Sequence, residues 1–382
     1  MRALWCVRAN LREHAGGDTT QVEQTAGALR ARGVEVTIDY GGRTDPRGHD
    51  LVHVFHLDRP WENLVWARRA REAGVPVAVS SIWWPQHEFD AHGRTGAQGA
   101  LSRAIGSDRY QNARLLQRSV AALAARAGRG RRLTIPTLRF HRCAHELLEI
   151  ASVCLPNSPD EDARLRERFA FDAPSTVVPN AADAAAFFPP TQAGPRAGVV
   201  CVGRIEARKH QLALVRACRA LDVDLTIVGG RGRFSTAYER RVRREAGPRT
   251  TFTGPLTPDR IRAILQRASV HVCCSWYETP GLAGLEAALC GCAVVTTDRG
   301  SGRWYFEQDA AYCDPTRQDS IRDAIVHALA TGPSPALAAR VRERFNWQAA
   351  GEATLAGYRQ ALGHPSAAPE PAPRPEPLPA GV

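Results

Sequence analysis

Short apolar runs alternate with longer amphipathic segments along most of the chain. In the first half, the apolar runs predict strands at residues 3–8, 34–38, 51–56, 76–82, 152–155 and 176–178. Segments with helical periodicity lie between them, at residues 18–32, 61–73, 110–127 and 139–150. Strands that alternate with helices are typical of α/β proteins with parallel sheets.

A second series of the same kind follows a stretch rich in proline and glycine. Its predicted strands lie at residues 198–202, 223–228, 251–253, 269–275 and 293–297, and a closing helix covers 346–362. Two doubly wound domains that face each other place the carboxyl ends of their strands around a shared cleft. We therefore predict an N-terminal domain (1–188), a linker (189–197), a second domain (198–345), a C-terminal helix (346–363) and a disordered proline-rich tail (364–382).

Composition and charge are those of a globular protein with an uneven basic excess. Hydrophobic residues make up 44% of the chain and charged residues 23%, and the net charge is +11. Ten arginines and a single acid, Asp108, lie between Arg103 and Arg142. No zinc-finger spacing or RRM-type aromatic signature accompanies them, so nucleic acid is not the expected partner. An anionic membrane surface, an acidic acceptor and a merely solvated helix remain open for residues 103–142.

The cysteines and the apolar runs bound the cellular location. The chain has ten cysteines but no C-x-x-C pair, which indicates free thiols more than disulfides or a metal site. No apolar run approaches the roughly 18 residues that span a bilayer. Arg8 comes too early for the core of a signal peptide. We expect a cytoplasmic protein whose contact with the membrane, if it has one, is peripheral and at the inner face.

One basic residue stands out by type. Lys209, in "GRIEARKHQ", is the single lysine among 50 basic residues. Arg204 directly follows the predicted strand "VVCVG", and Lys209 comes five residues later, near the start of the next helix. Two cations at one edge of a cleft suit a diphosphate and would stabilise charge on a diphosphate leaving group.

A second stretch, "CCSWYETPGLAGLEAALCGCAVV" at residues 273–295, has the pattern of an anion site. A strand ends near Trp276, a loop carries Glu278, and a helix begins around Gly281 and Leu282. The backbone N–H groups at a helix start bind anions. Glu286, one to two turns into this helix, is placed to accept hydrogen bonds from two neighbouring hydroxyls, as on a ribose.

Together these motifs resemble the retaining GT-B glycosyltransferases of family 4, the glycosyl transferase group 1 type. "ETPGLAGLE" is an E-x7-E motif that begins at Glu278 and ends at Glu286, and "VGRIEARKHQ" resembles the family's Arg/Lys diphosphate motif. Gly16–Gly17 followed by "QVEQTAGALRARGVEVTI" resembles its opening glycine loop, helix and second strand. "SVCLPNSPDEDARL", "VVPNAADAAAFFP" and "FNWQAAGEATLAGYRQAL" resemble the end of the first domain and the closing helix.

The resemblance implies two facing Rossmann-like domains, the first for the acceptor and the second for the nucleotide sugar. The C-terminal helix would cross back to the first domain. The resemblance also implies that Arg204 and Lys209 grip the diphosphate of a UDP- or GDP-type sugar, that Glu286 holds the ribose, and that Glu278 positions the transferred sugar. The phosphate site would be completed by the amides of Gly281, Leu282 and Ala283 and by the Gly16–Gly17 loop.

The implied reaction is metal-independent transfer, with retention, to a glycan or lipid-linked acceptor in cell-surface polysaccharide or glycoconjugate synthesis. No cofactor is expected beyond the nucleotide sugar. Family members often have a histidine after the fourth strand of the first domain, where this chain has Ser80 and Ser81. His87 is the nearest candidate for that role. Trp83 and Trp84 are candidates for a sugar-stacking wall or for ordinary packing.

Three other functions compete for the same residues. A hydrolase could use the two glutamates as a pair, but it has no use for an Arg/Lys diphosphate clamp. A non-catalytic GT-B partner that binds a nucleotide sugar fits the absent histidine, although the clamp residues are all present. A nucleotide-sugar epimerase is the remaining alternative, and the E-x7-E spacing favours transfer.

Overall fold

The computed structural model describes residues 1–13, 16–58, 60–127, 139–192, 194–232, 235–279 and 281–363, and the backbone alone for 118–127. Its first sheet has five parallel strands in the order β2-β1-β3-β4-β5. These strands are β1 (Arg2–Val7), β2 (Glu35–Tyr40), β3 (Leu51–Phe55), β4 (Val77–Ser80) and β5 (Val153–Cys154). The accompanying helices are α1 (Gly17–Arg30), α2 (Pro60–Glu72), α3 (Gly96–Ile105), α4 (Ser107–Ala127), α5 (Phe140–Ile150) and α6 (Pro159–Phe169), with a π-helical turn at Phe89–Gly93.

The second sheet has six parallel strands in the order β11-β10-β9-β6-β7-β8. They are β6 (Val199–Val202), β7 (Leu225–Val228), β8 (Thr250–Gly254), β9 (Val270–Cys273), β10 (Ala293–Thr297) and β11 (Ala311–Cys313). The helices are α7 (Gln211–Ala220), α8 (Thr236–Glu245), α9 (Pro258–Leu265), α10 (Leu282–Leu289), α11 (Gly302–Phe306), α12 (Gln318–Thr331), α13 (Pro335–Arg344) and α14 (Trp347–Ala361), with a 3-10 turn at Ala207–Lys209.

Helices cover both faces of each sheet, which explains the composition of the strands. Every residue of β3, β4 and β10 is buried, so these strands are nearly continuous apolar runs without polar alternation. Two apolar clusters fill each domain, one on either side of its sheet. In both sheets the strand order reverses beside the first strand of the domain. Ligands of such folds bind in the crevice at that reversal.

The last helix, α14, leaves the second domain and packs on the first. The Asn346 side chain caps its start by accepting a hydrogen bond from the Ala349 N–H. Tyr358 is fully buried, and its hydroxyl lies 2.7 Å from Nδ1 of His53 in β3. Gly351 lies so close to α1 that a Cβ atom there would be 2.7 Å from the Cβ of Ala28. The helix therefore ties the end of the chain to the first domain.

Most of the predicted elements are confirmed, with one strand wrong and one missed. Residues 176–178 form no strand: Ser175 makes an isolated bridge to Cys154, and the neighbouring Pro156 has no N–H group with which to extend a ladder. The edge strand β11 was not predicted, because its three residues show no resolvable periodicity. The strand predicted at 269–275 is shortened to Val270–Cys273, since the chain turns away and the Trp276 N–H donates to the Arg208 carbonyl.

Candidate functional site

The lysine singled out by composition forms an ion pair with a buried glutamate. Lys209 ends the 3-10 turn that follows β6, and its Nζ is 2.6 Å from Oε1 of Glu278 in the loop after β9. Arg208 Nη1 is 3.5 Å from the same oxygen. The adjacency of β6 and β9 at the reversal of strand order brings the two loops together. Two residues 69 positions apart in the chain therefore meet at one point.

Burial and charge oppose each other at this ion pair. Glu278 is 5% exposed, and desolvation by itself raises the pKa of its carboxyl. The positive charges of Lys209 and Arg208 outweigh burial and lower the pKa of Glu278 to about 2. Burial by itself lowers the pKa of Lys209. The negative charge of Glu278 outweighs this effect, so the pKa of Lys209 is raised. Both partners are thus ionised at neutral pH.

Helix α10 begins beside this pair: a Cβ atom on Gly281 would lie 3.8 Å from the Cβ of Glu278. Gly281 precedes the helix with φ +78°, in the left-handed region where glycine is favoured. As the first residues of a helix, Leu282 and Ala283 have N–H groups without intrahelical acceptors, and this end of the helix carries partial positive charge. Binding of an anion at residues 281–283 stays a prediction.

Glu286 is the second carboxylate of this site. It is half-buried in α10, and burial raises its pKa to about 7. Within the described parts of the chain, no hydrogen bond or ion pair to its carboxylate is found. A half-buried acceptor left open in this way is suited to a ligand with hydroxyl groups.

Arg204 and the glycine loop face each other across the cleft. The Arg204 side chain is about half exposed, at 47%, and its ion pair with Glu206 is long, at 4.0 Å. A Cβ atom on Gly16 would lie 3.6 Å from Nη1 of Arg204. A Cβ atom on Gly17 would lie 3.3 Å from Cδ1 of Leu282. The first-domain loop therefore contacts both parts of the second-domain site, and larger side chains would narrow the space between them.

The three predicted acceptor residues differ in their exposure to solvent. Trp83 is 6% exposed and stacks edge-on against Phe169 in the core of the first domain, with ring centroids 5.1 Å apart. Trp84 is half-buried and His87 is exposed. This arrangement gives Trp83 a packing role, and a contact of Trp84 or His87 with an acceptor stays a prediction.

A polar cluster beside the glycine loop was not predicted. Asp18, in the first turn of α1, pairs with Arg8 at 2.7 Å and lies 3.6 Å from Nε2 of His56. Burial raises the pKa of Asp18, but His56 and Arg8 reverse this and hold it well below its usual range. His56 has φ +71°, a strained conformation for a non-glycine residue at the carboxyl end of β3. The feature of the sequence that could have indicated this cluster is the acidic residue directly after Gly16–Gly17.

A second residue that was not predicted, Glu161, holds the loop after β4, which contains Ser81 and Trp83. Glu161 is fully buried near the start of α6 and accepts hydrogen bonds from the Ser81 hydroxyl and the N–H groups of Trp83 and Asn157. Ser158 caps the same helix by accepting from the Glu161 N–H at 3.0 Å. The S-x-x-E spacing of a capping box was the available signal.

The cysteines are described in full and the basic segment in part. The ten cysteines all lie within the described residues and form no disulfide, and nine of them are buried. Among the residues that the structure describes, no group of three His, Cys, Asp or Glu side chains is arranged to hold a metal ion. No helix in those same ranges has the length and apolar character needed to cross a bilayer. Of the basic segment 103–142, residues 128–138 lie outside the described residues.

Sequence comparison finds a matching family model and several curated relatives. The family model for glycosyl transferases group 1 matches residues 196–331. The alpha-maltose-1-phosphate synthase of Mycobacterium tuberculosis is 32% identical over 182 residues, which are 42% of this chain and 47% of that protein. The glycogen synthase of the same organism is 33% identical over 205 residues, 49% of this chain and 48% of that protein. The chain spans about half the length of these curated relatives.

Solved structures extend the likeness to the whole fold. Sucrose-phosphate synthase from Thermosynechococcus elongatus has a TM-score of 0.71 at 20% identity, over 95% of this chain and 99% of that one. The Anabaena protein Alr3699/HepE, solved in complex with UDP and glucose, has a TM-score of 0.65 at 15% identity, over 93% of this chain and 98% of that one. The glycosyl transferases group 1 model thus matches residues 196–331, and the chain as a whole has the GT-B fold.

Proposed function

We propose that the protein transfers a sugar from a nucleotide-diphosphate donor to a glycan or lipid-linked acceptor. The observation that carries the proposal is the convergence of Lys209, Glu278 and the start of α10 at the crevice of the second sheet, opposite the Gly16–Gly17 loop. Cations, open helix amides and a carboxylate that can accept from hydroxyls are the groups that a nucleotide diphosphate requires. The family match at residues 196–331 supports the same interpretation.

Each donor group has a counterpart in the site. Arg204, half exposed beside the glycine loop, and Lys209 bind the diphosphate together with the amides of residues 281–283. Glu286 accepts hydrogen bonds from the two ribose hydroxyls, and this role favours its ionised form. Glu278, released from Lys209 when the diphosphate takes the ammonium, accepts a hydrogen bond from a hydroxyl of the transferred sugar.

The reaction we propose retains the configuration of the sugar. The bond between the anomeric carbon and the diphosphate oxygen breaks, and the acceptor hydroxyl oxygen attacks the same face. The departing diphosphate oxygen accepts the acceptor's proton. Arg204, Lys209 and the helix N-terminus supply positive charge for the leaving group, so the proposed reaction needs no metal ion.

A UDP- or GDP-type donor and a polysaccharide-related acceptor are the chemistry we propose. UDP and glucose are bound in the Alr3699/HepE complex, and a glycogen synthase is among the curated relatives. The ten arginines between Arg103 and Arg142 suit an anionic membrane surface that would present a lipid-linked acceptor. Vesicle flotation tests this contact: it is rejected if exchange of Arg129, Arg131 and Arg132 for glutamate leaves binding to anionic vesicles unchanged.

Calorimetric titration with UDP, GDP and ADP tests the donor site. We expect micromolar binding of one nucleotide, and at least tenfold weaker binding after Arg204→Ala, because the variant lacks one of the two cations that bind the diphosphate. The variant should fold, since Arg204 is half exposed and its loss leaves no buried charge unpaired. Arg249→Ala is the matched control, because Arg249 pairs with Asp222 and Asp224 on the far edge of the same domain. No binding of any of the three nucleotides would refute the donor site.

Turnover separates the enzyme from its alternatives. With the nucleotide identified, release of that nucleotide from a panel of its sugar conjugates measures transfer, and NMR of the product's anomeric proton gives the stereochemistry. Turnover that persists in chelator supports the metal-independent mechanism, and its loss refutes that part. Tight nucleotide binding without transfer to any acceptor favours the non-catalytic partner protein instead.

A further inference from the structure

The backbone of Glu278 is held by a neighbouring segment, residues 299–301, which follows β10. The Glu278 N–H donates to the Arg299 carbonyl at 3.2 Å, and the Ser301 N–H donates to the Glu278 carbonyl at 2.9 Å. Gly300 lies between them with φ +111°, and a Cβ atom there would be 2.0 Å from the Glu278 carbonyl oxygen. The position of Glu278 therefore follows the position of this segment.

The same segment is attached to the first domain by two side chains. Arg299 forms a two-pronged ion pair with Glu88, with Nε 2.9 Å from Oε2 and Nη2 3.2 Å from Oε1. The hydroxyl of Ser301 lies 2.7 Å from the hydroxyl of Ser158, and both serines are fully buried. We name these two contacts, Glu88–Arg299 and Ser158–Ser301, the closure contacts.

Packing between the domains reinforces the closure contacts on the other side of Glu278. Phe89 lies in the π-helical turn of the first domain, and its ring centroid is 6.4 Å from that of Tyr277, the residue before Glu278. A Cβ atom on Gly93 would lie 2.5 Å from Nε1 of Trp276. First-domain atoms therefore contact the two residues that precede Glu278 in the chain, and the closure contacts hold the segment that is hydrogen-bonded to its backbone.

Arg299 stays neutralised without its first-domain partner, which allows a clean perturbation. Within the second domain its Nη1 is 2.5 Å from Asp298 and its Nη2 is 3.5 Å from Asp314. The hydrogen bonds to Glu88 make the largest contribution to the raised pKa of Arg299. Replacement of Glu88 removes one of the two closure contacts, and because Glu88 is about one quarter exposed and Arg299 keeps its other partners, it leaves no buried charge unpaired.

We infer that Glu88 and Arg299 are positioning residues, which bring the Glu278 carboxylate into register with the transferred sugar when the two domains close. This inference rests on the proposed glycosyl transfer. The two charged side chains act through the backbone of residues 299–301 and touch neither nucleotide nor sugar. Donor binding by the second domain alone is independent of them, and turnover depends on them.

The test compares turnover with nucleotide affinity in the full chain. We expect Glu88→Ala to lower kcat about 10- to 100-fold, the scale of a misplacement of about 1 Å, while the Kd of the bound nucleotide changes less than twofold. Arg299→Ala gives a similar fall, and the double variant is no slower than the slower single variant. Asp319→Asn is the control, because its ion pair with Arg317 lies on the surface of the second domain.

Hydrogen exchange gives a readout that does not depend on turnover. Glu88→Ala should speed exchange in peptides that contain the Glu278 and Ser301 amides, whereas Asp319→Asn should not. Wild-type kcat in Glu88→Ala, or a kcat loss matched by an equal loss of nucleotide affinity, would overturn the inference and leave the proposed function standing. Absence of transfer by the unaltered protein would overturn both.

Discussion

Replacing Lys209 by methionine removes the ammonium that neutralises a nearly buried carboxylate. The pKa of Glu278 is lowered from an ordinary value of 4.5 to about 2 by the charges around it. Since each pKa unit corresponds to about 1.4 kcal/mol, ionised Glu278 contributes about 3 kcal/mol to the free energy of unfolding at neutral pH. Arg208 lies 3.5 Å from the same carboxylate and remains in the variant, so part of this stabilisation is retained.

We therefore expect Lys209→Met to lose about 2 kcal/mol of stability at pH 7. Glu278→Gln should lose a similar amount, because it leaves the ammonium of Lys209 without its closest partner. In the double variant neither charge is buried alone, so its loss should be about 2 kcal/mol smaller than the sum of the two single losses.

Urea denaturation of the four proteins, followed by circular dichroism and tryptophan fluorescence, measures this coupling. The pH dependence is a second check: a depressed carboxyl pKa stabilises the fold above about pH 4.5, and that contribution is lost as the pH falls toward 2. The Glu278→Gln variant should lack this part of the acid-induced loss. Additive single effects, or the same acid-induced loss in Glu278→Gln, would refute the ion-pair reasoning.

Three further predictions follow from other contacts. Because burial raises the pKa of Glu286 to about 7 and ribose hydroxyls favour the carboxylate, nucleotide affinity measured by calorimetry should rise between pH 6 and 8, and Glu286→Gln should flatten that rise. Gly351→Ala should cost about 1–3 kcal/mol in thermal or urea unfolding, because its Cβ would meet Ala28 at 2.7 Å; an unchanged stability would contradict the packing. Glu161→Ala leaves the Ser81 hydroxyl and two amides without their acceptor, so it should destabilise the first domain by about 2–4 kcal/mol, and Glu161→Gln by less.

Local patterns in the sequence determine the elements and the donor motifs of this protein. Apolar runs bounded by turn residues identify the strands, since a parallel strand buried on both faces is mostly apolar. The single lysine and the two glutamates of "ETPGLAGLE" could be singled out because their chemistry is unusual for their surroundings. Gly16 and Gly17 could be identified from their resemblance to the family's glycine loop, and of the glycines of the site Gly281 has the positive φ that favours glycine.

Tertiary structure alone decided which of these groups meet and which residues support them. The pairing of β6 with β9 brings Lys209 to Glu278, and no local pattern reports that pairing. Trp83 looked like a candidate sugar contact, but the space beside Phe169 places it in the core. Glu88 and Arg299 are 211 positions apart, and the ion pair between them exists because two domains fold toward each other across a cleft. Contacts of that kind depend on the packing of whole domains, and residue type and spacing do not encode them.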